Sequence, residues 1–157
     1  MNDTTAIGIG PLSLADAHDL APLIAAYAQE LSRGAPRRPD DYYAELLLKD
    51  RTARLIGARL GERMVGFAVF FDMPDTVSGM RVGQLDELFV VQDARGLGVG
   101  DALIGALIAE GRRQGWQHVR WLVREKARIR DEPIAADLEP GGMRSYIIPV
   151  DRTAGNR

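Results

Sequence analysis

The chain contains no cysteine, and this one absence excludes a disulfide framework, a thiolate metal site and a cysteine nucleophile. Histidine is scarce. His18 and His118 stand far apart with no carboxylate-rich ligand spacing around either, so they read as surface or packing residues and no metal is expected. No apolar run reaches the roughly 18–20 residues of a membrane helix. The opening MNDTTAIGIG lacks the basic start and long apolar stretch of a secretory leader, so a cytoplasmic protein with no membrane partner is expected. An excess of charge is missing too. Twenty basic and 22 acidic residues leave a formal net charge of −2, with no basic field to attract nucleic acid. There is no low-complexity tract and no repeat with a period of roughly 20–50 residues.

What remains is 157 residues, 46% of them hydrophobic, enough for one well-cored domain spanning 1–157 and too few for a second. The polar end of DRTAGNR, 152–157, reads as a frayed tail.

Near the start, the short run TAIGIGP reads as a strand, and Ser13-x-x-Asp16 is a capping-box pattern opening a helix. That helix carries Leu20, Leu23, Ile24, Tyr27 and Leu31 at helical spacing and stops at Gly34. After the break APRRPDD a shorter helix, DDYYAELLLKD, begins with Asp40 and Asp41, which suit a helix N-terminus. ARLIGARL and MVGFAVFFDMP flank the turn GER as a hairpin, and VGQLDELFVV follows as a third strand-like run. Next come a glycine-rich turn and a helix with Leu103, Ile104, Leu107 and Ile108 on one face. HVRWLVRE reads as a strand, KARIRDEPIAADLEP as a weak helix and RSYIIPVD as a last strand, with Pro149 marking it as an edge. The expected class is α/β, an α+β layering of helices on a mostly antiparallel mixed sheet.

The turn QDARGLGVG is the chemically suggestive stretch. A strand that passes through glycines into a helix N-terminus presents free N–H groups and the positive end of the helix dipole at one point, which suits an anion such as phosphate. Arg95 adds a charge at its rim. A P-loop would need a lysine that is absent here, and a dinucleotide fingerprint would need G-x-G-x-x-G and a later acid. On glycine spacing alone, an anion cradle and a plain packing turn remain equally open.

The surroundings narrow the choice. Arg95-Gly96-Leu97-Gly98-Val99-Gly100 fits R-x-x-G-x-G, preceded by LDELFVV and followed by ALIGALIAEGRRQG. In this the chain resembles the GNAT family of N-acetyltransferases, and VGFAVFFDMP with LDELFVVQDARGLGVGDAL looks most like the diamine-acetyltransferase-like branch. The resemblance implies a GNAT fold with an acyl-coenzyme A cleft between the fourth and fifth strands. Acetyl-coenzyme A would be the co-substrate. Its pantetheine arm would pair with the backbone of Leu88, Phe89 and Val90, and Arg95, Gly96, Leu97, Gly98, Val99, Gly100 and Asp101 would surround the pyrophosphate. Because backbone groups do this work, alanine at Leu97 or Val99 is expected to change little, and a bulky residue at Gly98 or Gly100 to block binding.

The acceptor implied is a primary amine, of a polyamine-like or amino-acid-like small molecule or of a protein. Such an amine is protonated at neutral pH, with a pKa near 10, so the reaction needs a base. Asp86 and Glu87 both qualify, and strand alternation would put them on opposite faces; Glu87 is slightly favoured. A backbone N–H near Phe89 or Val90 would stabilise the developing oxyanion. The tyrosine that family members carry as acid after the fifth strand is missing from REKARIRDEPIAADLEPGGMR, which leaves Tyr146 as a substitute. Tyr27, Tyr42, Tyr43, Glu30, Asp40, Asp41 and Asp72 are candidates to line the acceptor side. Loss of the acid would also suit a non-catalytic acyl-coenzyme A sensor. The apolar YIIPV strand suggests a possible homodimer edge.

Overall fold

A computed structural model describes residues 5–31, 38–124 and 138–150. The elements follow in the order β1 (Ile7–Pro11), a 3-10 turn Leu14–Asp16 running into α1 (Ala17–Leu31), α2 (Asp41–Lys49), β2 (Arg54–Leu60), β3 (Arg63–Pro74), β4 (Arg81–Val90), α3 (Val99–Gln114) and β5 (Trp116–Trp121). The expected capping box is present: Asp16 Oδ2 accepts the Ser13 N–H at 2.8 Å. Asp40 is the N-cap of α2 and accepts the Tyr42 N–H at 3.0 Å. Gly115, at φ 73°, ends α3 in the left-handed conformation that glycine adopts freely.

The five strands form one sheet in sequential order, with β1 to β4 antiparallel and β5 parallel to β4 after the α3 crossover. The expected layering of helices on a mostly antiparallel mixed sheet is the architecture observed. One face carries α1 and α2 over Leu55, Phe67, Val69 and Phe89, joined by Leu20, Leu23 and Ala44. The opposite face carries α3, with Val99 and Leu103 against Ala58 and Val65, and Leu107 against Ala68, Phe70 and Leu85. Leu31 and Ile108, placed on apolar faces by their spacing, are exposed.

Trp116 holds the β4–β5 junction. A Cβ on Gly83 would lie 2.3 Å from its ring and one on Gly111 2.8 Å, so the indole fills space that both glycines leave open. Its Nε1–H donates to Asp72 Oδ1 at 2.7 Å.

Two expectations change. The strand expected at RSYIIPVD is not formed: residues 143–150 belong to no strand, and Tyr146 is 77% exposed. β5 begins at Trp116 rather than His118 and ends at Trp121. The expected weak helix falls mostly in 125–137, and the expected helix stop at Gly34 and the frayed tail in 32–37 and 151–157, all outside the described residues.

Candidate active site

β4 and β5 run together only as far as Leu85 and Trp121, with one further bond from the Leu122 N–H to the Leu85 carbonyl at 2.9 Å. Beyond it, β4 from Asp86 to Val90 has β3 on one side and, among the described residues, no strand on the other. The opened wedge is where the resemblance places the acyl-coenzyme A cleft.

Backbone direction along this stretch follows from one bond. The Val91 N–H donates to Val65 O at 2.9 Å, so Val91 turns its polar groups toward β3. Antiparallel strands alternate, and Phe89, opposite Phe67, does the same. Leu88 and Val90 therefore turn theirs toward the wedge. Of the three residues expected to pair with a pantetheine arm, Leu88 and Val90 fit by backbone, while Phe89 corrects the expectation: its N–H belongs to the sheet and its buried ring to the core.

The expectation that Asp86 and Glu87 lie on opposite faces also fails. Val69 pairs with Glu87 and Phe70 with Leu85, so Asp86 is an extra residue, a β-bulge. Glu87, opposite Val69, shares the α1 face with Phe89. Asp86 Oδ1 accepts from Gln84 Nε2 at 3.0 Å, and Gln84 lies opposite Phe71, which packs on the same face. The bulge thus turns both carboxylates toward one side of the sheet.

Glu87 is bound from two directions. The Tyr27 hydroxyl donates to Oε2, and Arg124 Nη2 donates to Oε1 at 3.2 Å. The Tyr27 ring sits against Phe89 at 5.1 Å and edge-on to Phe67 at 6.2 Å. Burial, and then the bond to Glu87, push the Tyr27 phenol above the usual tyrosine range, against the opposing pull of Arg124. It is a neutral donor at physiological pH. The Arg124 guanidinium is pushed up, first by its bond to Tyr27 and also by the Glu87 charge.

At the glycine turn, Gly96 and Gly98 take φ 78° and 85°, with open space where a Cβ would stand. The first N–H groups of α3, at Val99, Gly100 and Asp101, point out of the helix without helical partners. This is the geometry of an anion cradle and fits a pyrophosphate. Leu97 is exposed, as a backbone-only role requires, but Val99 is 1% exposed in the core, so alanine there is not neutral. Arg95 is engaged elsewhere: its Nε donates to Val90 O at 3.0 Å, its Nη2 meets Glu30 Oε2 at 2.5 Å, and it lies 5.7 Å from the Phe89 ring centroid.

Most candidates for the acceptor wall are used in other ways. Glu30 pairs with Arg95, Asp40 caps α2, Asp41 meets His18, and Asp72 joins Trp116, Arg81 and Arg54. Tyr42 and Tyr43 pack on each other. Tyr27 reaches Glu87. Tyr146, exposed in a segment without strand structure, is not held at the site as a packed acid would be. Arg124 was not singled out by any spacing in the sequence. Two cavities, of about 360 Å³ beside His18 and Arg63 and about 490 Å³ between β1–β2 and the end of α3, both lie away from Glu87. Among the described residues no cluster of His, Cys, Asp or Glu could hold a metal ion, and no helix is long and apolar enough to cross a membrane.

The model of the acetyltransferase (GNAT) family matches residues 20–130, and the chain belongs to that family. It is an acyl-coenzyme A-dependent N-acetyltransferase by class. A ribosomal-protein-alanine N-acetyltransferase from Brucella melitensis biovar Abortus 2308 is 40% identical, with 92% of this chain and 99% of that chain covered at a TM-score of 0.81. The same fold recurs in an integron cassette protein of V. cholerae, 16% identical over 92% and 93% of the two chains at a TM-score of 0.73. It recurs again in an aminoglycoside acetyltransferase from an uncultured soil metagenomic sample in complex with sisomicin, 18% identical over 90% and 93% at 0.67. No curated protein matches the chain. The likeness to the diamine-acetyltransferase-like branch finds no support in these comparisons.

Proposed function

We propose that this protein transfers the acetyl group of acetyl-coenzyme A to the α-amino group of a protein N-terminus, with Glu87 as the base. The observation that carries the acceptor is the 40% identity, over nearly the whole of both chains, to a ribosomal-protein-alanine N-acetyltransferase. What supports Glu87 is its place on β4 at the start of the wedge, one-third exposed and fixed by Tyr27 and Arg124. Asp86, beside it on the bulge, is the second candidate.

Acetyl-coenzyme A supplies the acyl thioester when bound. The chain's own groups divide the remaining work. The N–H groups of Gly96 to Asp101 hold the pyrophosphate, that of Leu88 aligns the pantetheine arm, and that of Val90 meets the acyl oxygen as it gains negative charge. Glu87 takes the ammonium proton, directly or through a water, and frees the lone pair that attacks the acyl carbon. The C–S bond then breaks, and the leaving thiolate takes the proton that the newly acylated nitrogen gives up, directly or through water.

Release of coenzyme A thiol tests this reading, measured against alanine-initiated ribosomal-protein peptides, aminoglycosides, diamines and spermidine, with Glu87→Gln and Asp86→Asn beside wild type. Acetylation of the peptides, reduced on the order of 100-fold or more in Glu87→Gln and less in Asp86→Asn, is expected. Turnover confined to a small amine would overturn the acceptor, and loss confined to Asp86→Asn would overturn the base.

A further inference from the structure

Both oxygens of Glu87 are engaged before any acceptor arrives, Oε2 by Tyr27 and Oε1 by Arg124. The Arg124 guanidinium also lies 6.0 Å from the centroid of the Tyr27 ring. A cation placed between a carboxylate and an aromatic ring is held by the two features that proteins use to recognise an ammonium ion. Arg124 reaches this place from beyond the end of β5, after the chain has parted from β4. Its side chain is 57% exposed, so a path outward is open.

We propose that the Arg124 guanidinium occupies, in the ligand-free protein, the place of the acceptor's ammonium group: Glu87 and Tyr27 form a cation site from which Arg124 withdraws as the acceptor enters. This rests on Glu87 being the base. The ammonium of the acceptor gives one N–H to the Oε1 that Arg124 vacates, which is the proton Glu87 then removes. Tyr27 keeps Oε2 throughout, so the carboxylate does not follow the departing arginine. A neutral or anionic acceptor cannot compete for this place, and Arg124 thereby selects protonated amines. Exposed carboxylate–guanidinium pairs are weak, so the competition amounts to a factor on the order of two to five in acceptor affinity.

The test separates the cation site from the identity of the acceptor. Ethylguanidinium chloride is titrated into wild type, Arg124→Ala and the double variant Arg124→Ala/Glu87→Gln, followed by NMR shifts of the Glu87 and Leu88 amides. Arg124→Ala is expected to bind it several-fold more tightly than wild type, and the double variant to lose that gain. In turnover with alanine-initiated peptides, Arg124→Ala is expected to lower KM by the same factor, with Arg124→Lys between the two. Equal ethylguanidinium binding by wild type and Arg124→Ala would overturn the proposal. So would a higher KM in Arg124→Ala, which would show Arg124 holding the acceptor. If no variant acetylates a peptide while ethylguanidinium binding follows the expected order, the cation site stands and the assignment to protein N-termini fails.

Discussion

The Tyr27 hydroxyl donates to Glu87 Oε2, so a residue 60 positions earlier in the chain sets the orientation of the proposed base. Tyr27 is held in turn by Phe67 and Phe89, both core residues, which makes the pair a rigid link from α1 to the bulge in β4. Tyr27→Phe keeps the ring and deletes the donor. We expect kcat to fall about tenfold, as misplacement of a catalytic group does, with KM for acetyl-coenzyme A unchanged and the fold intact. An unchanged kcat would show that Glu87 keeps its working orientation without the Tyr27 hydroxyl.

The glycine turn yields a contrast between neighbours. Gly98 sits at φ 85° at the head of α3, whereas Leu97 is exposed. Gly98→Val forces a branched side chain into a left-handed conformation at a cost of about 1–3 kcal/mol and puts methyl groups where the backbone is open. Calorimetric titration is expected to show coenzyme A affinity lost in Gly98→Val and retained in Leu97→Ala. Comparable affinity in both variants would remove the turn as the pyrophosphate cradle.

How much of this was legible in the sequence depended on the range of the interaction concerned. The capping box at Ser13, the N-cap at Asp40 and the glycine-to-helix turn are local devices, written in adjacent residues and formed as read. The bulge at Asp86 depends on how β4 pairs with β3, and no pattern within LDELFV marks it; strict alternation therefore put the two carboxylates on opposite faces. YIIPV has the composition of a strand, but composition supplies no pairing partner, and the residues stand exposed. Arg124 carried no signal because its partners, Glu87 and Tyr27, lie 37 and 97 positions away by sequence number. The four carboxylates assigned loosely to the acceptor wall show the same limit, since each found a nearer structural partner.

Trp116 makes a test of packing independent of chemistry. With Cβ positions at 2.3 and 2.8 Å from the indole, Gly83→Ala and Gly111→Ala must push the ring away from β4 and α3. Overpacking of this kind costs about 1–3 kcal/mol, and displacement of the ring also strains its bond to Asp72. Chemical denaturation should show both variants less stable, Gly83→Ala the more so. Wild-type stability in Gly83→Ala would mean that the indole has a second place to go.

Asp72 ties that junction to pH. Its carboxyl is held below the usual aspartate range, first by the Arg81 hydrogen bond and then by the Trp116 N–H, with Arg54 adding to the effect against the penalty of burial. A group whose folded pKa is depressed contributes stability that is fully present above its unfolded value, near 3.8 here, and is lost as pH falls through the folded value. Asp72→Asn keeps an acceptor for the indole and removes the charge that Arg81 and Arg54 meet. Thermal midpoints of wild type and Asp72→Asn should therefore differ most at neutral pH and converge as the medium is acidified below about pH 4. A gap that stays constant down to the acid transition would mean that Asp72 stabilises the junction by shape and hydrogen bonding, with its charge contributing nothing.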